Sequence, residues 1–267
     1  RKAIRDRNPL RDFPREVGVL VFASFFVAIG FGIIAPTLPL FAKSFGINNA
    51  QVGSIITFFA FARFASGLLS GKLVDKFGER VVYSVGLTFV SISSLLAGLA
   101  QSFPQLLLFR AAGGLGSSMF SVAAGSIILR STDDTHRARA QSLYNGSFLV
   151  GMVAGPAVGG ALSTFSLRAP MLIYSGLTVV ASAACAILLR DSALTAKPDN
   201  SSEKNTTSLR EAFSLIPYQY ALLINFCTAW VLFGMARSVL PLFMVEKMHS
   251  SATYIGIGFT ISSVIQG

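Results

Sequence analysis

Six stretches of this chain, none shorter than nineteen residues, lack any charged side chain: Val17 to Ala42, Val81 to Phe109, Ala111 to Leu129, Ala140 to Leu167, Ala169 to Leu189 and Ala212 to Ala236. A hydrocarbon core about 30 Å thick is crossed by roughly 20 apolar residues in an α-helix, and lipid offers no water to backbone groups left unpaired. The runs are too long for strands. Adding Gln51 to Ser70, which carries only Arg63, and reading Arg110 as part of a helix, seven spans are expected at about 17–41, 51–70, 81–101, 105–129, 142–165, 169–189 and 218–244. An eighth begins near Ala252 and is still running at Gly267, so the sequence reads as ending in mid-membrane. The fold class is therefore an all-α integral membrane protein. Charged residues make up 13% of the chain, about half the share usual in soluble domains.

Charge placement predicts orientation. The tail 1–16 and the second, fourth and sixth connections carry sixteen basic residues, against Lys43, Arg168 and Lys247 on the other side. Basic residues collect on the cytoplasmic side of a membrane, which predicts a cytoplasmic amino terminus and a multi-pass protein of the plasma membrane. The net charge of +10 is then a topology signal. A nucleic-acid-binding surface is the competing reading of such a charge, and the apolar spans speak against it.

The densest charge lies in Gly71-Lys72-Leu73-Val74-Asp75-Lys76-Phe77-Gly78-Glu79-Arg80, between the second and third spans. It reads as a short loop, with Gly71 and Gly78 allowing tight turns at its two ends. In the fourth span stands Arg110-Ala111-Ala112-Gly113-Gly114-Leu115-Gly116. The fifth contains Gly151-Met152-Val153-Ala154-Gly155-Pro156-Ala157-Val158-Gly159-Gly160. Gly151, Gly155 and Gly159 recur every fourth residue and form one smooth helix face for close approach of another helix, while Pro156 removes a backbone donor.

Together these segments resemble the signatures of the major facilitator superfamily. The first resembles its motif between helices 2 and 3, the second its Arg-x-x-x-Gly-x-Gly motif on helix 4, and the third the Gly-x-x-x-Gly-Pro-x-x-Gly-Gly motif of its drug and metabolite antiporters. Glu79 stands where the first motif often has a base, and Ser142 where the extended antiporter motif has another glycine. The resemblance implies two six-helix lobes, twelve helices in an intact carrier, and alternating access. It also implies that Asp75 latches the cytoplasmic side, with Arg80, Arg139 or a helix dipole as partner, and that Arg110 serves coupling or substrate. Gly71, Lys76, Gly78 and Arg80 complete that gating loop. A bland reading of Asp75 as a solvated loop carboxylate stands beside the gate.

Pro39-Leu40-Phe41 recurs as Pro241-Leu242-Phe243 at an offset of 202 residues, and Ala50 as Ala252 at the same offset. This is the pattern of two duplicated halves. The organisation expected is a basic tail at 1–16, a six-helix lobe at 17–189, a polar linker at 190–217 and the start of a second lobe at 218–267.

Arg63, Arg110 and Arg237 fall inside spans, where a charge is costly and faces a cavity or a partner. Every Asp and Glu falls in a tail, a connection or a helix end. Phe25, Phe31, Phe120, Phe148, Phe226 and Trp230 are apolar cavity candidates, with Tyr144, Asn145 and Asn225 as polar points, but aromatic residues in membrane helices are more often lipid-facing or packing residues and none is assigned as a ligand. Cys185 and Cys227 read as buried apolar residues, without the spacing of a disulfide or metal site. No metal, cofactor or catalytic constellation is expected, and the protein is not read as an enzyme. The function expected is proton-coupled efflux of hydrophobic or amphipathic small molecules by a monomer in the bilayer. Two alternatives stay open: an organic-anion or metabolite carrier with an arginine-lined cavity, and a non-transporting receptor or scaffold.

Overall fold

The computed structural model describes residues 13–163, 165–190 and 209–231. The chain divides into two compact units, Arg1–Lys197 and Pro198–Gly267. In the first, seven helices follow one another: α1 Arg15–Lys43, α2 Asn49–Ala65, α3 Gly67–Phe77, α4 Glu79–Gly98, α5 Phe103–Ser131, α6 Asp134–Ser163 and α7 Ala169–Leu188. The described part of the second unit holds α8 Leu209–Ser214 and α9 Ile216–Ala229. Cys227, expected to be buried, is exposed on α9.

The helix ends are legible locally. Asn48 and Gln51 form a capping box at the start of α2, each side chain accepting from the other's backbone N–H at 2.9 and 3.0 Å. Such a box satisfies two of the donors a helix start leaves open. Pro104 and Pro170 sit in the first turns of α5 and α7, where the missing N–H costs nothing.

The expected second span is a bent pair. α2 and α3 meet at 46°, at Ser66-Gly67, where Ser66 Oγ donates to the carbonyls of Ala62 at 2.7 Å and Arg63 at 3.2 Å. A serine–glycine pair in which the hydroxyl competes for helix carbonyls is a common cause of a kink. Beyond it the chain stays helical to Phe77, so the expected loop at 71–80 is corrected. Gly71, Asp75 and Lys76 are helical, and the whole connection to α4 is Gly78. Gly78 takes φ +83° and its N–H caps Val74 O at 2.8 Å. Gly71 makes no turn.

Packing in the first unit follows small residues and hydroxyls. α1 lies along α6 and α7, α4 along α5 and α7, and α2 against α5. Along α4 and α7 a ladder of hydroxyls bridges the helices. Thr88 meets Ser182 at 2.8 Å, Ser182 donates to Ser84 O at 2.9 Å, and Ser91 meets Ser175 at 3.0 Å. In lipid such bonds between helices contribute about 0.6–2 kcal/mol each. Tyr83 is fully buried with its ring edge-on to Phe120 at 6.1 Å, which places Phe120 in the core.

α1, α4, α5 and α7 are each long and apolar enough to cross a membrane, and α2 with α3 make a fifth span as one bent segment. α6 has 30 residues, about 45 Å of helix, enough by length to cross the same core.

Candidate functional site

Two glycines of α5 set the position of Arg110. A Cβ on Gly114 would collide with the Phe59 carbonyl of α2. One on Gly116 would stand 2.6 Å from the Gly86 carbonyl oxygen of α4, and one on Gly86 would stand 2.7 Å from the Phe120 nitrogen of α5. The backbones of α2 and α4 thus reach α5 with no side chain between them. Arg110, one turn before Gly114, is held at 4% exposure with its guanidinium 4.9 Å from the centroid of the Phe59 ring.

Nε of Arg110 is buried without a hydrogen-bond partner. Among the described residues the side chain makes no hydrogen bond or ion pair. It borders a cavity of about 160 Å³. Phe31, Ile34 and Leu38 of α1 and Ile55 and Phe59 of α2 form apolar walls, and Arg110 supplies the charge. The cation–π contact contributes about 0.5–2 kcal/mol, while the desolvation penalty of a buried charge is several kcal/mol. The arginine is not compensated by its contacts among the described residues.

Gly151, Gly155 and Gly159 all face α1. A Cβ on Gly151 would lie 2.7 Å from Phe25 O, and one on Gly155 would lie 2.6 Å from both Gly32 Cα and Ile29 O; one on Gly159 would collide with Ile33 O. α1 returns the fit through Gly32, where an added Cβ would lie 3.0 Å from Met152 O and 3.2 Å from Pro156 Cδ. Met152 O is the carbonyl that Pro156 leaves without a helical donor, so the unsatisfied acceptor faces the glycine backbone. α6 continues through Pro156 and Gly160 to Ser163. Gly30 of α1 leaves no room for a side chain against the Tyr174 ring of α7.

The helix ends that carry most of the bases gather at one end of this unit. Arg130 Nη1 donates to Glu79 Oε1 at 2.6 Å, tying the end of α5 to the start of α4. Arg80 Nη2 donates to Ala186 O at 2.6 Å at the end of α7, where a cation complements the helix dipole. Arg139 of α6 lies 5.3 Å from the Phe13 ring just before α1. Asp75 is exposed and makes no ion pair among the described residues. Arg80, one partner expected for it, is used by the Ala186 carbonyl instead.

The Glu79–Arg130 pair was not legible from the sequence, although Glu79 stood out as a departure from its motif. Glu79 is 3% exposed and Arg130 44%, and the second carboxylate oxygen of Glu79 has no hydrogen-bond partner in the described residues. Removing one partner from a buried pair costs about 3–5 kcal/mol, and the exposure of Arg130 lowers that figure. Arg130→Ala is expected to lower the thermal transition of the detergent-solubilised protein by several degrees, and adding Glu79→Gln to recover most of the loss. An unmoved transition in Arg130→Ala would show that the pair holds nothing together.

Arg63 on α2 is exposed and donates to Ser121 Oγ of α5 at 3.0 Å, so it does not share the burial of Arg110. Arg237 lies outside the described residues, as do Pro241-Leu242-Phe243 and the eighth span. Of the apolar candidates Phe31 lines the cavity, while Phe226 of α9 pairs with Trp230 at the helix's C-cap at 6.0 Å. Phe59, Ile34 and Ile55 were missed, because nothing in an apolar run marks which residue faces a void.

Apolar helices closed on glycine seams around a buried arginine and a cavity define an integral membrane protein of the carrier type. The chain matches the Major Facilitator Superfamily over residues 20–266 and belongs to that family, whose members are carriers and not enzymes. It is 25% identical over 256 residues to the quinolone resistance protein NorA of Staphylococcus aureus (strain Mu50 / ATCC 700699), covering 92% of this chain and 63% of that protein. It is 25% identical over 258 residues to multidrug resistance protein 2 of Bacillus subtilis (strain 168), covering 94% and 64%. The chain thus spans less than two thirds of the length of these relatives. Its fold is similar to that of the peptide transporter POT, crystallised as a point mutant with sulfate, at a TM-score of 0.62 and 14% identity over 90% of this chain and 54% of that one.

Proposed function

We propose that this chain supplies the first lobe and the start of the second lobe of a secondary active transporter, which exports hydrophobic or amphipathic small molecules in exchange for protons by alternating access. The observation that carries the reading is the apolar cavity walled by α1, α2 and α5, on helices joined by backbone-to-backbone glycine seams. Such seams let helices move as packed units. The relatives named for quinolone and multidrug resistance support export of drug-like compounds. The basic end of the first unit supports a cytoplasmic amino terminus in the plasma membrane. The exposed Asp75 is the latch of that end. The protein acts as a monomer.

The test is dye transport by full-length protein in proteoliposomes with an imposed pH gradient. Accumulation of a neutral or cationic lipophilic dye that collapses with an uncoupler is expected. Gradient-independent or absent flux would overturn the proposal. A second reading, an organic-anion carrier, is favoured by the uncompensated Arg110, and movement of anionic probes alone would establish it.

A further inference from the structure

We infer that Ser93 of α4 is a positioning residue for Arg110, holding the turn of α5 that bears it through a hydrogen bond admitted by Gly113. The inference deepens the proposed transport function and rests on that reading for its consequence in transport, but not for the placement of Arg110. Three observations carry it.

The first is the bond. Ser93 is 4% exposed, and its Oγ donates at 2.5 Å to the carbonyl of Phe109, the residue before Arg110. In an unbroken helix that oxygen already accepts the N–H of Gly113, so the hydroxyl is not needed to satisfy it. What Ser93 adds is a tie from α4 to one particular turn of α5. The second is the gap that admits the tie. A Cβ on Gly113 would stand 2.5 Å from Ser93 Oγ on one side and 3.8 Å from Phe59 Cε2 on the other. The Arg-x-x-x-Gly-x-Gly spacing is completed by Arg110, Gly114 and Gly116, so Gly113 is a glycine that the motif does not require. The third is the dependence of Arg110 on its backbone. Its side chain makes no hydrogen bond or ion pair among the described residues, and its guanidinium lies 4.9 Å from the centroid of the Phe59 ring. A side chain without a polar anchor takes its aim from the turn that bears it, and a cation–π contact fades beyond about 6 Å. Rotation at Phe109 carries the guanidinium off that ring, and Ser93 resists the rotation. The adjacent Ser94 gives the contrast, since it is fully buried and its Oγ has no hydrogen-bond partner among the described residues.

The test is nitrogen NMR of the full-length protein in detergent with isotope-labelled arginine, in which Arg110→Lys identifies the Nε–H signal of Arg110 by its loss. Ser93→Ala is expected to shift that signal and to speed exchange of its proton with water about fivefold, the factor that one net hydrogen bond provides. Ser94→Ala is expected to leave both as in the wild type. Gly113→Ala pushes the Ser93 hydroxyl off the Phe109 carbonyl and is expected to reproduce the Ser93→Ala spectrum. The double variant is expected to match Ser93→Ala alone in spectrum and thermal transition, because Ser93→Ala removes the atom that the new methyl strikes. A Ser93→Ala variant whose thermal transition falls while the Arg110 signal stays in place overturns the inference, as the hydroxyl is then a packing contact only. So do equal shifts in Ser93→Ala and Ser94→Ala, and effects of Gly113→Ala and Ser93→Ala that add in the double variant. If Gly113→Ala loses its thermal transition, Ser93→Ala and Ser94→Ala decide the question. None of these readouts needs flux, so failure of export and failure of this positioning are told apart.

Discussion

Gly155→Leu is expected to disable transport and lower the thermal transition, whereas Gly146→Leu is expected to leave both close to wild type. Both glycines lie in α6, nine residues apart. At Gly155 a Cβ would lie 2.6 Å from the Gly32 backbone and from the Ile29 carbonyl, and at Gly146 nothing stands within 4 Å. The obstacle at 155 is backbone, so no rotamer change relieves it and α1 must move away from α6. Overpacking in a tight interior costs about 1–3 kcal/mol when neighbours can yield, and here the rigid backbone puts the cost at the top of that range or above. The same displacement would part Gly151 from Phe25 and Gly159 from Ile33. Flux at matched expression, with thermal melts of both variants, checks the expectation. Equal behaviour of the two would show that α1 and α6 do not need their close approach.

Asp75→Asn is expected to cut transport about tenfold or more while leaving the thermal transition unchanged, because one contact of about 1.4 kcal/mol shifts a two-state equilibrium by that factor. Asp75 is exposed at the end of α3 and makes no ion pair among the described residues. Its substitution therefore leaves the packing of α3 intact and removes only the latch. Initial rates at matched expression measure the effect. Wild-type rates in the variant would return Asp75 to a solvated helix-end carboxylate, and an equal loss of stability would assign it a packing role.

Much of the architecture could be read from the chain alone, since lipid imposes a strong rule. A charge-free run of twenty residues has few options other than a spanning helix, and the runs beginning at Val17, Ala111 and Ala169 each fall in one long helix, while Val81 to Phe109 covers most of α4 and the first turns of α5. The four-residue glycine spacing of α6 marked a face before its partner was visible. The partner, α1, could not be read in the same way, because Gly30 and Gly32 sit two apart and face different neighbours.

Charge does not mark the end of a helix in this chain. Lys72, Asp75 and Lys76 belong to α3 because charged side chains at the membrane border reach water without unwinding the backbone. Gly78 alone supplies the conformation the turn requires. Arg110 was singled out on type and depth, since a charge in an apolar run is conspicuous in any sequence. Its isolation from hydrogen-bond partners was not, because that depends on which atoms of α1 and α2 come near it once Gly114 and Gly116 have let α2 and α4 close in. Hydrophobic periods and charge patterns are properties of one segment and survive in the sequence. Voids, orphaned charges and the Glu79–Arg130 pair are properties of several segments at once, and they exist only after the helices have packed.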